Sequence, residues 1–502
     1  MLDQSFSSDN FRILLDVVNR KGVYVESESF FETADIFIET REKSDEIIWK
    51  NKEIRSEKRK IKAIKDKALR DYSNLDQLNA EKEEIKQERE ILLTNIFNNI
   101  SSKVNKEDFK LDIKKGKIKY GKQLYVVTNS PENFFALKQI QRNINKTFKV
   151  KQSDRRVIIS QLSTILQDGF PKVILRTDIK EFYESIPHKG LLDIINGNPL
   201  LSYPTKRIIK DLLNQYWKIL VSDGIKNSTD ERIGIPRGIG ISALLAELYM
   251  RRFDKAVKSI DSVTYYARYV DDIITIYTPK NRGEKRTSQT YIERLKTISQ
   301  KSLGLTLNSD KTHLIDLRKR NRDRKNSKRY KFTYLGYSFV IDYKRKELSG
   351  DSKKFEVYRE PLKILMSEHK LEKYKNKIEN AFADFKDKQA LYAGKESGIK
   401  RLLHQRIRFL TNNYQLFRRK SNVFIGVYFS NEFLNNPYPD LKALDDFLEN
   451  EITKIEHLAN PELINKLRSL SFYKGFMAKN VLQFNASKEF NINKLMSIWT
   501  NM

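Results

Sequence analysis

Cysteine is absent from the 502-residue sequence. That excludes disulfides, thiol nucleophiles and thiolate-bound zinc or iron–sulfur centres. Histidine occurs five times, at widely spaced positions 188, 313, 369, 404 and 457, which argues against a histidine-rich metal cage. Nowhere do about 18 apolar residues run together, so no membrane span is expected. The first residues, MLDQSFSSDNFRILLDVVNR, lack the basic head and apolar core of a secretory signal. A reducing, cytoplasmic setting is the expectation. Glycine and proline are missing between Gly22 and Gly116, so nothing interrupts helix formation there. What remains for chemistry is carboxylate, hydroxyl, lysine and arginine.

Charge is plentiful and lopsided. Ninety-five Lys and Arg face 65 Asp and Glu, a formal net charge of +30. Such self-repulsion points to a polyanionic partner, most simply nucleic acid. Hydrophobic residues at 39% suffice for packed cores. Residues 40–97 carry apolar side chains at helical spacing (Ile54, Ile61, Ala68, Tyr72, Leu75, Leu78, Ile85, Leu92). Long helices follow, paired as an antiparallel hairpin turning near Asn74–Asp76. Mixed acids in the stretch favour packing over nucleic-acid contact. Residues 118–280 alternate short β-branched or aromatic runs with amphipathic helical stretches, the texture of a mixed domain with a sheet. RKRNRDRKNSKR, residues 318–329, is a basic run suited to a solvated loop or to phosphate contact. From about 355 onward the chain reads as mainly helical, interrupted by NVFIGVYFS and NNPYP.

Two carboxylate segments stand out. YYARYVDDIITIY (265–277) reads as two strands around a turn that presents Asp271 and Asp272 from apolar surroundings. In KVILRTDIKEFYESIP (172–187), Asp178 ends a buried strand. Asp178 and Asp271 on neighbouring strands would make a hard-oxygen site for Mg²⁺, which takes few carboxylates and leaves positions for water and phosphate oxygens. Two such ions stabilise attacking and leaving oxygens in phosphoryl transfer. The pair Asp445–Asp446, by contrast, reads as helix surface.

These segments resemble the reverse transcriptases. YVDD at 269–272 matches that family's YxDD motif. Asp178 followed by Phe182 and Tyr183 matches its first palm motif, and GIPRGIGIS (234–242) resembles its second. LGLTLNSDKTHLI (303–315), with Lys311, and FTYLGYSF (332–339) resemble its fourth and fifth. The resemblance implies an α+β right-hand polymerase fold of fingers, palm and thumb. Residues 1–115 would be an N-terminal long-helix extension, 116–345 the fingers and palm, and 346–502 a helical thumb and C-terminal domain.

It also implies roles. Asp178, Asp271 and Asp272, with the backbone carbonyl of Ile179, would hold two Mg²⁺ ions, Mn²⁺ being the alternative. Lys311 would be a general acid for the leaving pyrophosphate. Phe182 and Tyr183 would meet the incoming dNTP, Tyr183 as a steric gate against a ribose 2′-hydroxyl. Pro236, Arg237, Gly238 and Ser242 would lie under it, and Arg155 and Arg156 would clamp its triphosphate. Tyr334, Leu335, Gly336 and Tyr337 would form the primer grip. Tyr330, Phe332 and Tyr334 are candidates for stacking in the primer–template channel. Arg237 departs from the family, which commonly has Gln there, so ordinary templated copying is not to be assumed.

No protease, integrase or RNase H unit is evident. Residues 401–434 and 471–476 are similar to the bacterial defence-associated and abortive-infection reverse transcriptases. That likeness implies DNA synthesis in antiviral (phage) defence, with an RNA template (a noncoding RNA in that group), a DNA product, and a homo-oligomer or partner protein. The alternatives are a retron or group II intron type enzyme, a protein-primed or untemplated DNA polymerase, and a nucleic-acid-binding scaffold without catalysis.

Overall fold

The structure is a computed structural model and describes residues 3–33, 35–279, 287–318, 326–347, 355–391, 396–418, 421–483 and 495–499. The chain packs as two compact units, each assembled from separated stretches. One comprises residues 1–152, 179–257 and 294–307; the other comprises 153–178, 258–293 and 308–502.

In the first unit, helices Ile38–Ala63 and Ser73–Val104 form the expected hairpin. Lys43 reaches Glu88 at 2.8 Å and Lys50 reaches Glu81 at 2.7 Å across it. A small core of Ile54, Ile61 and Leu75 lies between the helices. The turn spans 64–72, earlier than Asn74–Asp76, which lies in the first turn of the second helix. Neither Gly nor Pro makes it. Instead the Asp66 and Asp71 carboxylates accept from the backbone N–H groups of Ala68 and Ser73. Ala68 and Tyr72 are exposed, while Leu93, Phe97 and Ile100 take the buried positions further along. Phe97 meets Phe135 edge-on at 5.1 Å, and Phe11 meets Phe135 at 5.6 Å. Strands β1 (Ile113–Lys119) and β2 (Lys122–Val127) form a hairpin with Tyr120 and Gly121, both at positive φ, as its two-residue turn.

The second unit is built on a four-stranded antiparallel sheet in the order β4-β5-β3-β6. Its strands are β3 (Val173–Asp178), β4 (Val263–Tyr269), β5 (Asp272–Tyr277) and β6 (His313–Asp316). Val173, Ile174, Leu175, Ile273, Ile274 and Ile276 are buried, as apolar runs covered on both faces must be. A second sheet pairs β7 (Lys328–Tyr334) with β8 (Tyr337–Glu347), and β8 with β9 (Phe355–Arg359) and β10 (Lys363–Met366). Residues 355–366 are therefore largely strand, and the first long helix after them is Glu368–Leu391. The helical expectation from 355 fails here because these short apolar stretches add to the exposed edges of β8.

A third sheet, β11 (Asn413–Arg418), β12 (Ser421–Gly426) and β13 (Val481–Gln483), also lies among the C-terminal helices. One continuous core joins the first two sheets to those helices, with Phe332 stacked on Phe339 at 5.1 Å. Of the basic run 318–329, residues 319–325 lie outside the described residues. Arg318 pairs with Asp316, and Lys328 and Arg329 open β7.

Candidate active site

The carboxylates of the second unit meet at one end of the first sheet. In the β3–β5 register Asp178 stands opposite Asp272, and in the β4–β5 register Tyr269 stands opposite Asp272. Val270 and Asp271 are thus the two-residue turn, and Asp272 is already strand. Val270 sits at φ +60°, a left-handed conformation that costs a β-branched residue on the order of 1–3 kcal/mol. The buried Arg268 guanidinium donates to the Val270 carbonyl at 2.7 Å and fastens that turn.

Each carboxylate has a distinct environment. Asp178 is 6% exposed and accepts from Lys311 Nζ at 2.6 Å. That contact holds the lysine above its ordinary value. Asp272 accepts from Arg176 Nη2 at 3.1 Å; burial raises its carboxyl and the guanidinium opposes the rise. Asp271 is pushed up to about 6, first by burial and then by the neighbouring Asp178 charge. A buried carboxylate (Asp178) and a half-buried one (Asp271) that repel each other are stabilised by a cation between them.

The donor set fits a hard divalent ion. Among the described residues no three His, Asp or Glu side chains converge as a cage. Two carboxylates would instead leave most positions to water and phosphate oxygens, as Mg²⁺ prefers. Lys311 and Arg176 supply positive charge at the same place. Asp445, by contrast, accepts from Ser471 Oγ and Phe472 N–H and caps the helix Phe472–Ala478. Asp445 therefore serves a structural role.

The segment expected to be a primer grip follows β7. Tyr334 pairs with Tyr337 across a two-residue turn, Leu335–Gly336, both at positive φ. The Tyr334 hydroxyl donates to the Asp272 carbonyl at 3.2 Å, tying this turn to the aspartates. Tyr334 and Phe332 are buried in the core, so neither is available to stack on a base; Tyr330 is half-buried against Tyr343. Arg155 donates to the Leu335 carbonyl at 2.9 Å and lies over the Tyr337 ring at 5.6 Å. Arg156 forms a two-bond pair with Glu432. Arg155 is thus fixed at the grip segment, while Arg156 is held by Glu432.

The first unit collects the remaining expected residues. Phe182 is buried and meets Tyr183 edge-on at 5.4 Å. The backbone beside them is zipped to the second motif: Ile235 N–H donates to the Tyr183 carbonyl and Gly234 N–H to that of Ile186, both at 2.7 Å. Ser242 Oγ donates to the Pro236 carbonyl at 2.6 Å. Gly238 has φ +105°, and a Cβ there would lie 2.7 Å from the Tyr125 carbonyl. The Arg237 guanidinium lies over the Tyr183 ring at 4.9 Å and grips Glu184 with two bonds of 3.0 and 3.1 Å. Ile179 bridges to Leu307.

Several participants were not singled out from sequence. Arg176 was visible as a lone cation in an apolar strand two residues before Asp178. The basic β1–β2 hairpin, KKGKIKYGKQLYVV, carried alternation and a Tyr-Gly turn. Its Tyr125 N–H donates to the Arg237 carbonyl at 2.7 Å, joining it to the same turn. Glu184, three residues before the proline of ESIP, gave no signal of its pairing with Arg237.

Comparison with known proteins agrees with the motif assignment. Residues 133–339 match the family model described as reverse transcriptase (RNA-dependent DNA polymerase). No curated protein sequence matches the chain. Among solved structures, apo telomerase from Candida tropicalis truncated from its C-terminal domain is similar at 16% identity. That similarity covers 49% of this chain and 58% of the other, with a TM-score of 0.28. Telomerase from Candida albicans in complex with a TWJ fragment of telomeric RNA is similar at 13% identity, over 79% of this chain and 65% of that one, with a TM-score of 0.32. The chain thus spans less than two thirds of either telomerase. Residues 133–339, about two fifths of the chain, are thus similar to reverse transcriptase domains.

Proposed function

We propose that the protein synthesises DNA from dNTPs on an RNA template, with Asp178 and Asp271 as ligands of two Mg²⁺ ions. The observation that carries this reading is the pair of mutually repelling carboxylates at the end of the β3–β5 ladder, Asp178 buried and held by Lys311, Asp271 half-buried in the adjoining turn. The ions would supply charge stabilisation for nucleotidyl transfer. A primer 3′-hydroxyl would attack the α-phosphate of the dNTP and lose its proton to water, the bond to pyrophosphate would break, and Lys311 is the acid nearest the carboxylates to protonate the leaving group. Asp272, committed to Arg176, shapes the field rather than acting as principal ligand. Tyr183 is the gate against the ribose 2′-hydroxyl, with Arg237 and Glu184 fixing its ring.

In this reading residues 116–345 are fingers and palm, 346–502 are thumb and C-terminal domain, and 1–115 are a helical extension. Cytoplasmic antiviral defence with a noncoding RNA template is the setting favoured by the sequence likeness over 401–434 and 471–476. Among the described residues, no helix is long and apolar enough to cross a membrane. The test is to purify the protein with its bound nucleic acid, supply labelled dNTPs and Mg²⁺, and sequence both product and template. DNA complementary to a co-purified RNA is expected. Product without any complementary RNA would replace templated copying with untemplated synthesis, and incorporation of rNTPs alone would overturn the assignment.

A further inference from the structure

The second unit holds a cavity of about 370 Å³ that none of Asp178, Asp271, Asp272 or Lys311 lines. That volume suits a small ligand of nucleotide size. Five cations line it: Arg155 and Arg156 from the start of helix Arg155–Ile165, and Lys370, Lys373 and Lys377 from one face of helix Glu368–Leu391. The one carboxylate among the lining residues, Glu432, is already paired with Arg156. Aromatic rings of Tyr337, Tyr374, Phe429 and Phe433 complete the walls.

The lysines are held at a cost. Lys370 lies over the Tyr337 ring at 4.8 Å and donates to the Ser430 carbonyl at 2.5 Å, with Arg155 on the same ring. Burial, and then Arg155, push Lys370 down to about 7. Burial and Lys373 also lower Lys377. Lys377 lies over the Trp499 ring at 5.6 Å, so Lys370 and Lys377 each rest on an aromatic face. Cations crowded and desolvated together are the mark of a site that an anion completes. The surplus of charge favours a terminal phosphate, which carries nearly two negative charges, over a backbone phosphodiester with one. The rings offer a face for a base or ribose.

We propose that this cavity binds a nucleotide through its terminal phosphate, either a free nucleoside triphosphate or the 5′-phosphorylated end of a strand. It is separate from the polymerising carboxylates and stands whether or not the chain synthesises DNA.

The test is titration calorimetry on the full chain in EDTA, where no synthesis occurs. The probes are inorganic tripolyphosphate, ATP, and hexathymidylate with and without a 5′-phosphate. Tripolyphosphate is expected to bind the parent protein. Lys370→Met and Lys377→Met should each weaken it at least tenfold, while Lys60→Met, which removes a charge from the helical hairpin of the first unit, should leave it unchanged. The ligand-free Lys370→Met protein should melt at or above the parent temperature, which separates loss of a ligand contact from loss of fold. Stronger binding of ATP than of the phosphorylated hexamer assigns a free nucleotide, and the reverse assigns a strand end. Equal tripolyphosphate binding by parent, Lys370→Met and Lys377→Met would overturn the proposal. So would a hexamer whose affinity depends on Lys370 with or without its 5′-phosphate.

Discussion

Replacing Arg237 with glutamine, the residue that the reverse transcriptases resembled by this segment commonly have, should loosen the selection of sugar. Arg237 contributes two things beside Tyr183: a cation over the ring at 4.9 Å and a two-bond pair with Glu184 at 3.0 and 3.1 Å. A half-exposed cation–π contact is worth about 0.5–1 kcal/mol. The ion pair is about one third exposed on both sides, and Glu184 can rehydrate when the arginine is gone. Its contribution is therefore nearer to that of a surface pair, about 0.5–1 kcal/mol. Together they hold the Tyr183 ring by about 1–2 kcal/mol, and 1.4 kcal/mol is a factor of ten in rate. Arg237→Gln should reduce discrimination between dNTP and rNTP by about five- to thirtyfold. The assay is single-nucleotide incorporation, comparing kcat/KM for a dNTP and its rNTP in parent, Arg237→Gln and Tyr183→Ala proteins. If Tyr183→Ala loses discrimination and Arg237→Gln keeps it fully, the arginine does not position the gate and the reasoning fails.

Two other outcomes follow from the same geometry. Val270→Gly removes a left-handed β-branched residue and should stabilise the fold by up to about 1 kcal/mol, after the glycine's larger unfolded-state freedom is allowed for. It should also slow nucleotide addition by loosening Asp271. A melting temperature several degrees below the parent would contradict the strain argument. His188 is 3% exposed, its Nε2 lies 2.6 Å from the Gly234 carbonyl, and burial holds it below its ordinary value. The unfolded chain takes up a proton near pH 6.5 while the folded chain does not, so stability is full above that pH and declines as pH falls below it. By pH 5.5 the loss reaches at most about 1.4 kcal/mol. Denaturant unfolding at pH 7.5 and 5.5 should show this loss in the parent protein and not in His188→Gln; an equal loss in both would assign the acid sensitivity elsewhere.

The aspartates were legible because alternation around YVDD and an apolar run ending at Asp178 are local signals, and antiparallel pairing then forces the two ends together. Lys311 entered through the motif resemblance and Arg176 stood out as a lone cation, but which carboxylate each would pair with was not legible. Lys311 reaches Asp178 and Arg176 reaches Asp272 across strands far apart in sequence, and periodicity carries no trace of such partners. The hairpin of 40–97 was legible from its repeat, but its turn was displaced because side-chain caps at Asp66 and Asp71 do the work usually signalled by Gly or Pro. Tyr334 and Phe332 looked like stacking platforms beside a basic run. Alternation along β7 turns both into the core, which composition cannot reveal. Residues 355–366 are strands because β8 offers edges to pair with, a tertiary circumstance that local propensity does not encode.

The central claim is that Asp178 and Asp271 form one charge-coupled centre for DNA synthesis. Its most direct measurement compares incorporation of labelled dNTPs in Mg²⁺ by the parent protein and by Asp271→Ala, with folding of both verified by thermal melting. The account predicts DNA product from the parent and none from a variant that melts normally. Equal incorporation by the two proteins would contradict it.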